Sequence, residues 1–201
     1  MELAILLLIG VPAQVAVFAL VPLAWWLQAG RSEGSFLRWL GFRRIEARPD
    51  LLTVIIAGSS LVCFCGTNVL SGRPPWPASY GGFWLGLTVV VTAFLQTSLS
   101  EELFFRGFLL RWLTDSRWLR DRRRRGPVVA NLMQAVICGV VRMVAQWVFF
   151  DRELASWLGA LAAGAVAAFL AGWLRQRTGS LYAPWLVHGV GNLLAGLIVT
   201  L

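Results

Sequence analysis

The sequence predicts an all-α membrane protein, a polytopic bundle of about six transmembrane helices around a polar intramembrane site. Three observations carry that prediction. Of the 201 residues, 58% are hydrophobic and only 14% are charged, against about 25% charged in an ordinary soluble domain. A soluble fold of this length has no interior large enough to hide so much apolar surface. The apolar residues gather into six runs, each close to the ~20 residues that a membrane-crossing helix requires. The basic residues, all arginine, lie mostly in the short segments between the runs. Period-two alternation is absent, which argues against a barrel of strands. With no internal repeat and no long linker, residues 1–201 read as a single membrane domain.

The elements follow in order. The first run, 3–27, has no basic segment before it and exceeds the length of a secretory apolar core, so it reads as a retained span. The second is 51–70. The third, 83–113, is interrupted by Glu101, Glu102 and Arg106. Thr97 to Ser100 offer a place for it to break and restart, with Ser98 and Glu101 at capping-box spacing. The fourth, 128–150, contains Arg142. In the fifth, 154–174, Ala160, Gly164, Ala168 and Gly172 recur every four residues and present a smooth face to a neighbouring helix. The sixth, 181–201, carries His188 and Asn192.

Arginine placement assigns the sides. Arg31, Arg38, Arg43, Arg44 and Arg48 separate runs one and two, and Arg111, Arg117, Arg120 and Arg122 to Arg125 close run three. Arg175 and Arg177 precede run six, while only Arg73 and Arg152 fall on the opposite face of a six-span chain. The arginine-rich loops are therefore expected in the cytoplasm. The net charge of +8 then belongs to orientation and lipid headgroups, with the bilayer and not nucleic acid as the partner. Cys63, Cys65 and Cys138 all lie in apolar runs, an odd number that makes no disulfide framework.

Ionisable residues at membrane depth are costly and usually serve a site. Glu102 and Arg106 are four apart and pair on one helical face, while Glu101 points about 100° away. His188, the single histidine, and Asn192 are also four apart on one face of run six. Arg142 stands in mid-run, where an unpaired guanidinium costs at least ~2.5 kcal/mol, so it should meet Glu101 or Glu102. Cys138 lies one turn earlier on the same face.

Taken together, these blocks resemble the CPBP family of intramembrane proteases, which includes type II CAAX prenyl endopeptidases and bacteriocin self-immunity (Abi) proteins. Glu101-Glu102 with Arg106 and the following Gly107 matches the EExxxR motif and its usual continuation. His188 with Asn192 matches HxxxN, preceded by the typical Gly179 to Pro184 stretch. Leu40 to Arg44 looks like the short loop that often follows the first span. The family's FxxxH motif is altered: Cys138 stands for its Phe and Arg142 for its His.

The resemblance implies a peptidase of the cytoplasmic (bacterial inner) membrane that cuts a peptide or protein near the bilayer surface. Glu101 would be the base that activates water, Glu102 and Arg106 would hold the geometry, and His188 and Asn192 would stabilise the oxyanion. Arg142 pulls two ways. Paired to Glu101 it weakens that residue as a base, and as a fixed cation it can stabilise an oxyanion. Zinc has been proposed for the family, but a site of two histidines and a carboxylate lacks its second imidazole here, so no cofactor is assigned. Three alternatives stand beside the metalloendopeptidase-like hydrolase. One is a pseudoprotease that binds a membrane-embedded tail, one a transporter with a proton relay, and one a Cys138–His188 thiol protease.

Overall fold

A computed structural model describes residues 11–30, 34–45, 50–70, 90–120, 125–149 and 154–200. Every regular element among them is helical. Helix α1, Val11–Trp25, contains Pro22 and runs into a π-helical turn, Trp26–Gly30. The short α2, Phe36–Leu40, ends at Gly41. Helix α3 is Leu51–Leu70. Helix α4 spans 90–115 and holds two π-helical stretches, Thr92–Leu99 and Glu102–Leu109, before its last turns, Leu110–Asp115. Then come α5 (Arg117–Arg120), α6 (Gly126–Phe149), α7 (Leu154–Thr178) and α8 (Tyr182–Thr200).

By length and apolarity, three helical stretches among the described residues can cross a membrane: Pro12–Ala29, Gly126–Ala145 and Leu154–Thr178. A shorter apolar stretch, Leu51–Gly66, accompanies them. Residues 3–10 of the first expected span, 83–89 of the third, Phe150 of the fourth and Leu201 of the sixth lie outside the described residues. The surface is apolar where a soluble protein's would be polar. Along α6, Val128, Leu132, Val136, Val140, Val144 and Val148 are exposed at four-residue spacing, a lipid-facing stripe. Glu102, Arg106, Asn131, Gln134 and His188 are buried instead.

The break expected at Thr97 to Ser100 does not occur. Ser100 (φ −58°, ψ −50°) and Glu101 (φ −64°, ψ −42°) keep helical torsions, and neither end of the segment has a side-chain cap. The reason is that the hydroxyls turn backward. Thr97 Oγ1 donates to Thr92 O (3.1 Å) and Ser98 Oγ to Ala93 O, each five residues back. They are hydroxyl donors to a wide turn, not caps of a new helix.

The four-residue stripe of α7 packs on α6 as the spacing predicts. A Cβ on Gly164 would meet the Arg142 side chain, and one on Gly172 would meet Asn131. Asn131 Nδ2 donates to Phe169 O (2.9 Å) and Gln134 Nε2 to Ala168 O (2.9 Å), so side-chain amides tie the two helices where they approach most closely.

Candidate active site

Four helices bring the candidate residues together. Glu101, Glu102 and Arg106 stand on the π-helical part of α4, Cys138 and Arg142 on α6, His188 and Asn192 on α8, and α3 closes one side with Phe64. Inserted π turns re-aim side chains and recur at functional sites. Here they set two adjacent carboxylates against two different helices.

Glu102 faces α8 and its own helix. Its Oε1 lies 3.2 Å from Arg106 Nη1 and 3.0 Å from His188 Nδ1. All three groups are buried. Arg106 makes no aligned hydrogen bond through its guanidinium nitrogens, so it is held to Glu102 by charge and by packing beside the Phe105 ring, 5.9 Å from its centroid. With Glu102 ionised beside that cation, the tautomer that fits the contact has His188 Nδ1–H donating to it. The imidazole then presents its Nε2 lone pair on the other side.

Glu101 faces α6. Arg142 Nη2 donates to Glu101 Oε2 at 2.7 Å, and His188 Nε2 lies 4.0 Å from the same oxygen. Both partners of this ion pair are partly accessible, the Arg142 side chain 23% and Glu101 21% exposed. The pairing predicted for Arg142 is thus with Glu101, on the partly accessible edge of the site, while Glu102 is fully buried.

Asn192 sits one turn beyond His188 and reaches the first π stretch of α4. Its Nδ2 donates to Thr97 Oγ1 (2.9 Å) and Ser98 Oγ (3.1 Å). It latches α8 to the first π stretch of α4. Cys138 is buried in the main apolar cluster with Phe105, Ala130 and Ala135, as a small hydrophobe.

Sequence reasoning missed the residues that hold these groups. Phe64 stacks on the His188 ring, centroids 3.8 Å apart and planes at 12°. The approach depends on Gly191, where a Cβ would meet Phe64 Cβ and Leu61 O. On the other side, a Cβ on Gly189 would strike the Phe94 ring. The cluster Gly189–Gly191 was the available signal, since paired glycines beside a buried histidine mark close neighbours.

The donor set does not suit a metal. Among the described residues no three His, Cys, Asp or Glu side chains are grouped for one. Of the nearest donors, Glu102 Oε1 is engaged by Arg106 and His188, and Glu101 Oε2 is engaged by the Arg142 cation. A cation cannot be bound there without displacing another.

In a comparison with known proteins, the family model described as type II CAAX prenyl endopeptidase Rce1-like matches residues 82–194. That range contains every candidate residue above. No curated protein and no solved structure matches the chain.

Proposed function

The chain belongs to the Rce1-like family of type II CAAX prenyl endopeptidases, and from that premise we propose that it is an intramembrane endopeptidase acting on a peptide or protein cut close to the membrane surface. The observation that carries the proposal is Glu101 Oε2 and His188 Nε2 facing each other at 4.0 Å. A water molecule hydrogen-bonded to both, about 2.8 Å from each, fits that separation. Glu101 takes the water's proton as its oxygen attacks the scissile carbonyl carbon. The C–N bond then breaks as the same proton passes to the leaving nitrogen, so that water is added across the peptide bond.

In this reading His188 positions the water, where the motif alone implies an oxyanion role. With Nδ1–H given to Glu102, its Nε2 accepts from water and does not donate to an oxyanion. Arg142 is the group left to stabilise the developing negative charge, because a guanidinium has five donors and Glu101 engages one edge. Glu102 and Arg106 orient the imidazole, and Asn192 fixes the spacing of α8 from α4. We further propose one domain over 1–201 with six spans, in a bacterial inner membrane, with its arginine-rich loops in the cytoplasm.

One observation favours a second reading. Arg142 occupies the Glu101 oxygen nearest His188, which suits a pseudoprotease that binds a membrane-embedded tail without cutting it. The test is cleavage by the reconstituted chain of a peptide with a membrane-proximal site in ¹⁸O-labelled water. The peptidase reading expects one labelled oxygen in the new carboxylate. Bound but intact peptide would overturn it and leave the binder.

A further inference from the structure

Away from this site, three arginines from three elements converge on one short helix. Helix α2 ends in three successive carbonyls. Arg43 Nε donates to Arg38 O (3.3 Å), Arg111 Nη1 to Trp39 O (2.7 Å), and Arg175 Nη2 to Leu40 O (3.5 Å). Consecutive carbonyls in one turn are only a few ångströms apart, so the three guanidinium groups are neighbours.

The fold is shaped to admit them. Gly41 sits at φ 102°, a left-handed conformation that closes α2 with Gly41 N–H to Leu37 O and Phe42 N–H to Leu37 O. The space a Cβ would fill on Gly41 is taken by the Arg175 guanidinium. The following turn is tied to α8, where Leu181 N–H donates to Gly41 O (2.8 Å) and Ser180 Oγ donates to Arg43 O. This is the Leu40 to Arg44 block, held by Ser180 and Leu181 at the turn between α7 and α8.

Cations at a helix C-terminus are favourable, but the helix offers only about half a negative charge. Arg111 also pairs with Asp115, 3.4 Å from its Nε. Three guanidinium charges thus meet at a helix end that offsets only a fraction of one of them. Arg175 Nε is buried with no hydrogen-bond partner, and Arg43 is exposed. The level is also defined. Arg175 lies in the last turn of the membrane-crossing α7, and Trp112, Trp118 and Tyr182 are exposed around it, the aromatic belt of a membrane interface. The anions found at that level in a bilayer are headgroup phosphates.

We propose that Arg43, Arg111 and Arg175, gathered on the C-terminal carbonyls of Phe36–Leu40, form a binding site for the phosphate of an anionic phospholipid headgroup. The site is independent of the peptidase reading and would exist equally in a non-catalytic binder.

The test is lipid selectivity of the full chain in nanodiscs of phosphatidylglycerol and phosphatidylcholine. The lipids retained on the protein are counted by native mass spectrometry. Phosphatidylglycerol should be enriched, and Arg43→Gln or Arg175→Gln should each cut that enrichment about five-fold, the effect of one basic residue at a membrane surface. The charge-matched Arg44→Gln and Arg117→Gln, both exposed, should leave it nearly unchanged. Arg43 is on the surface, so its variant keeps the test valid should Arg175→Gln fail to fold. Three results overturn the proposal: no enrichment in the wild type, equal loss in the control variants, or inorganic phosphate stabilising the detergent-solubilised chain while phosphatidylglycerol is not enriched.

Discussion

Arg142 Nη2 and Glu101 Oε2 are 2.7 Å apart, bridging α6 and α4 at the partly accessible edge of the site. Neither charge has another oppositely charged partner at that range among the described ion pairs. Arg142→Ala leaves a carboxylate alone in a largely dry site, a loss of about 3–5 kcal/mol for a fully buried pair. Partial exposure puts the expected value at the lower end. Thermal melting in detergent reads it, and a double-mutant cycle with Glu101→Gln should recover most of the loss. An additive cycle would contradict the pairing.

Arg142→His restores the imidazole of the family motif. Under the peptidase reading it removes the oxyanion cation and lowers the cleavage rate. A rise in rate would favour the pseudoprotease. The comparison needs both proteins folded, with melting points within a few degrees.

His188 is the single histidine of the chain, so ¹⁵N-histidine labelling gives one imidazole. Its Nδ1 should be the protonated nitrogen, because Glu102 Oε1 accepts from it at 3.0 Å. The ring protons should lie upfield, shielded by Phe64 stacked at 3.8 Å. Phe64→Leu should remove the shielding and keep the tautomer, and Glu102→Gln should disturb the tautomer and keep the shielding. A proton found on Nε2 in the wild type would contradict the assigned geometry.

Asn192 acts through the latch to Thr97 and Ser98. Asn192→Ala should cost roughly 0.6–2 kcal/mol, the range of interhelical hydrogen bonds in membranes, and Thr97→Val with Ser98→Ala should mimic it. If Asn192→Ala abolished cleavage while leaving the melting point unchanged, Asn192 would be touching substrate and not merely spacing two helices.

What the sequence revealed follows from cost. Charges inside apolar runs stand out, so Glu101, Glu102, Arg106 and Arg142 were legible, and the pairing of Arg142 followed from the same argument. Phe64 was not, because an aromatic ring in an apolar run looks the same whether it faces lipid or an imidazole. The backward hydrogen bonds of Thr97 and Ser98 have no signature in the sequence. A hydroxyl before a glutamate has the spacing of a cap, and nothing in the residue order distinguishes that from a hydroxyl donating back to a π turn. Arg43, Arg111 and Arg175 were read through their side of the membrane alone, since their meeting on α2 is a property of the fold.

Outside the membrane-crossing segments, Asp50 caps α3. Its Oδ1 accepts from Thr53 N–H (2.8 Å), and its Oδ2 lies near Arg177. The Thr53 side-chain hydroxyl, then its backbone N–H, then Arg177 hold the Asp50 carboxyl below its ordinary value of 3.8. A depressed carboxyl contributes its stability above that ordinary value and loses it as pH falls through the lower, folded one. The wild type should therefore melt above Asp50→Ala at neutral pH, with the gap closing below about pH 4. A gap that widens on acidification would contradict the sign.

The most direct measurement is the single-turnover cleavage rate of a membrane-proximal peptide by the reconstituted wild type and by Glu101→Ala, both shown to bind it. Loss of a general base predicts a fall of about 10²–10⁴-fold with binding retained. Equal rates in the two proteins would contradict the account, because cleavage would then proceed without the carboxylate that faces His188.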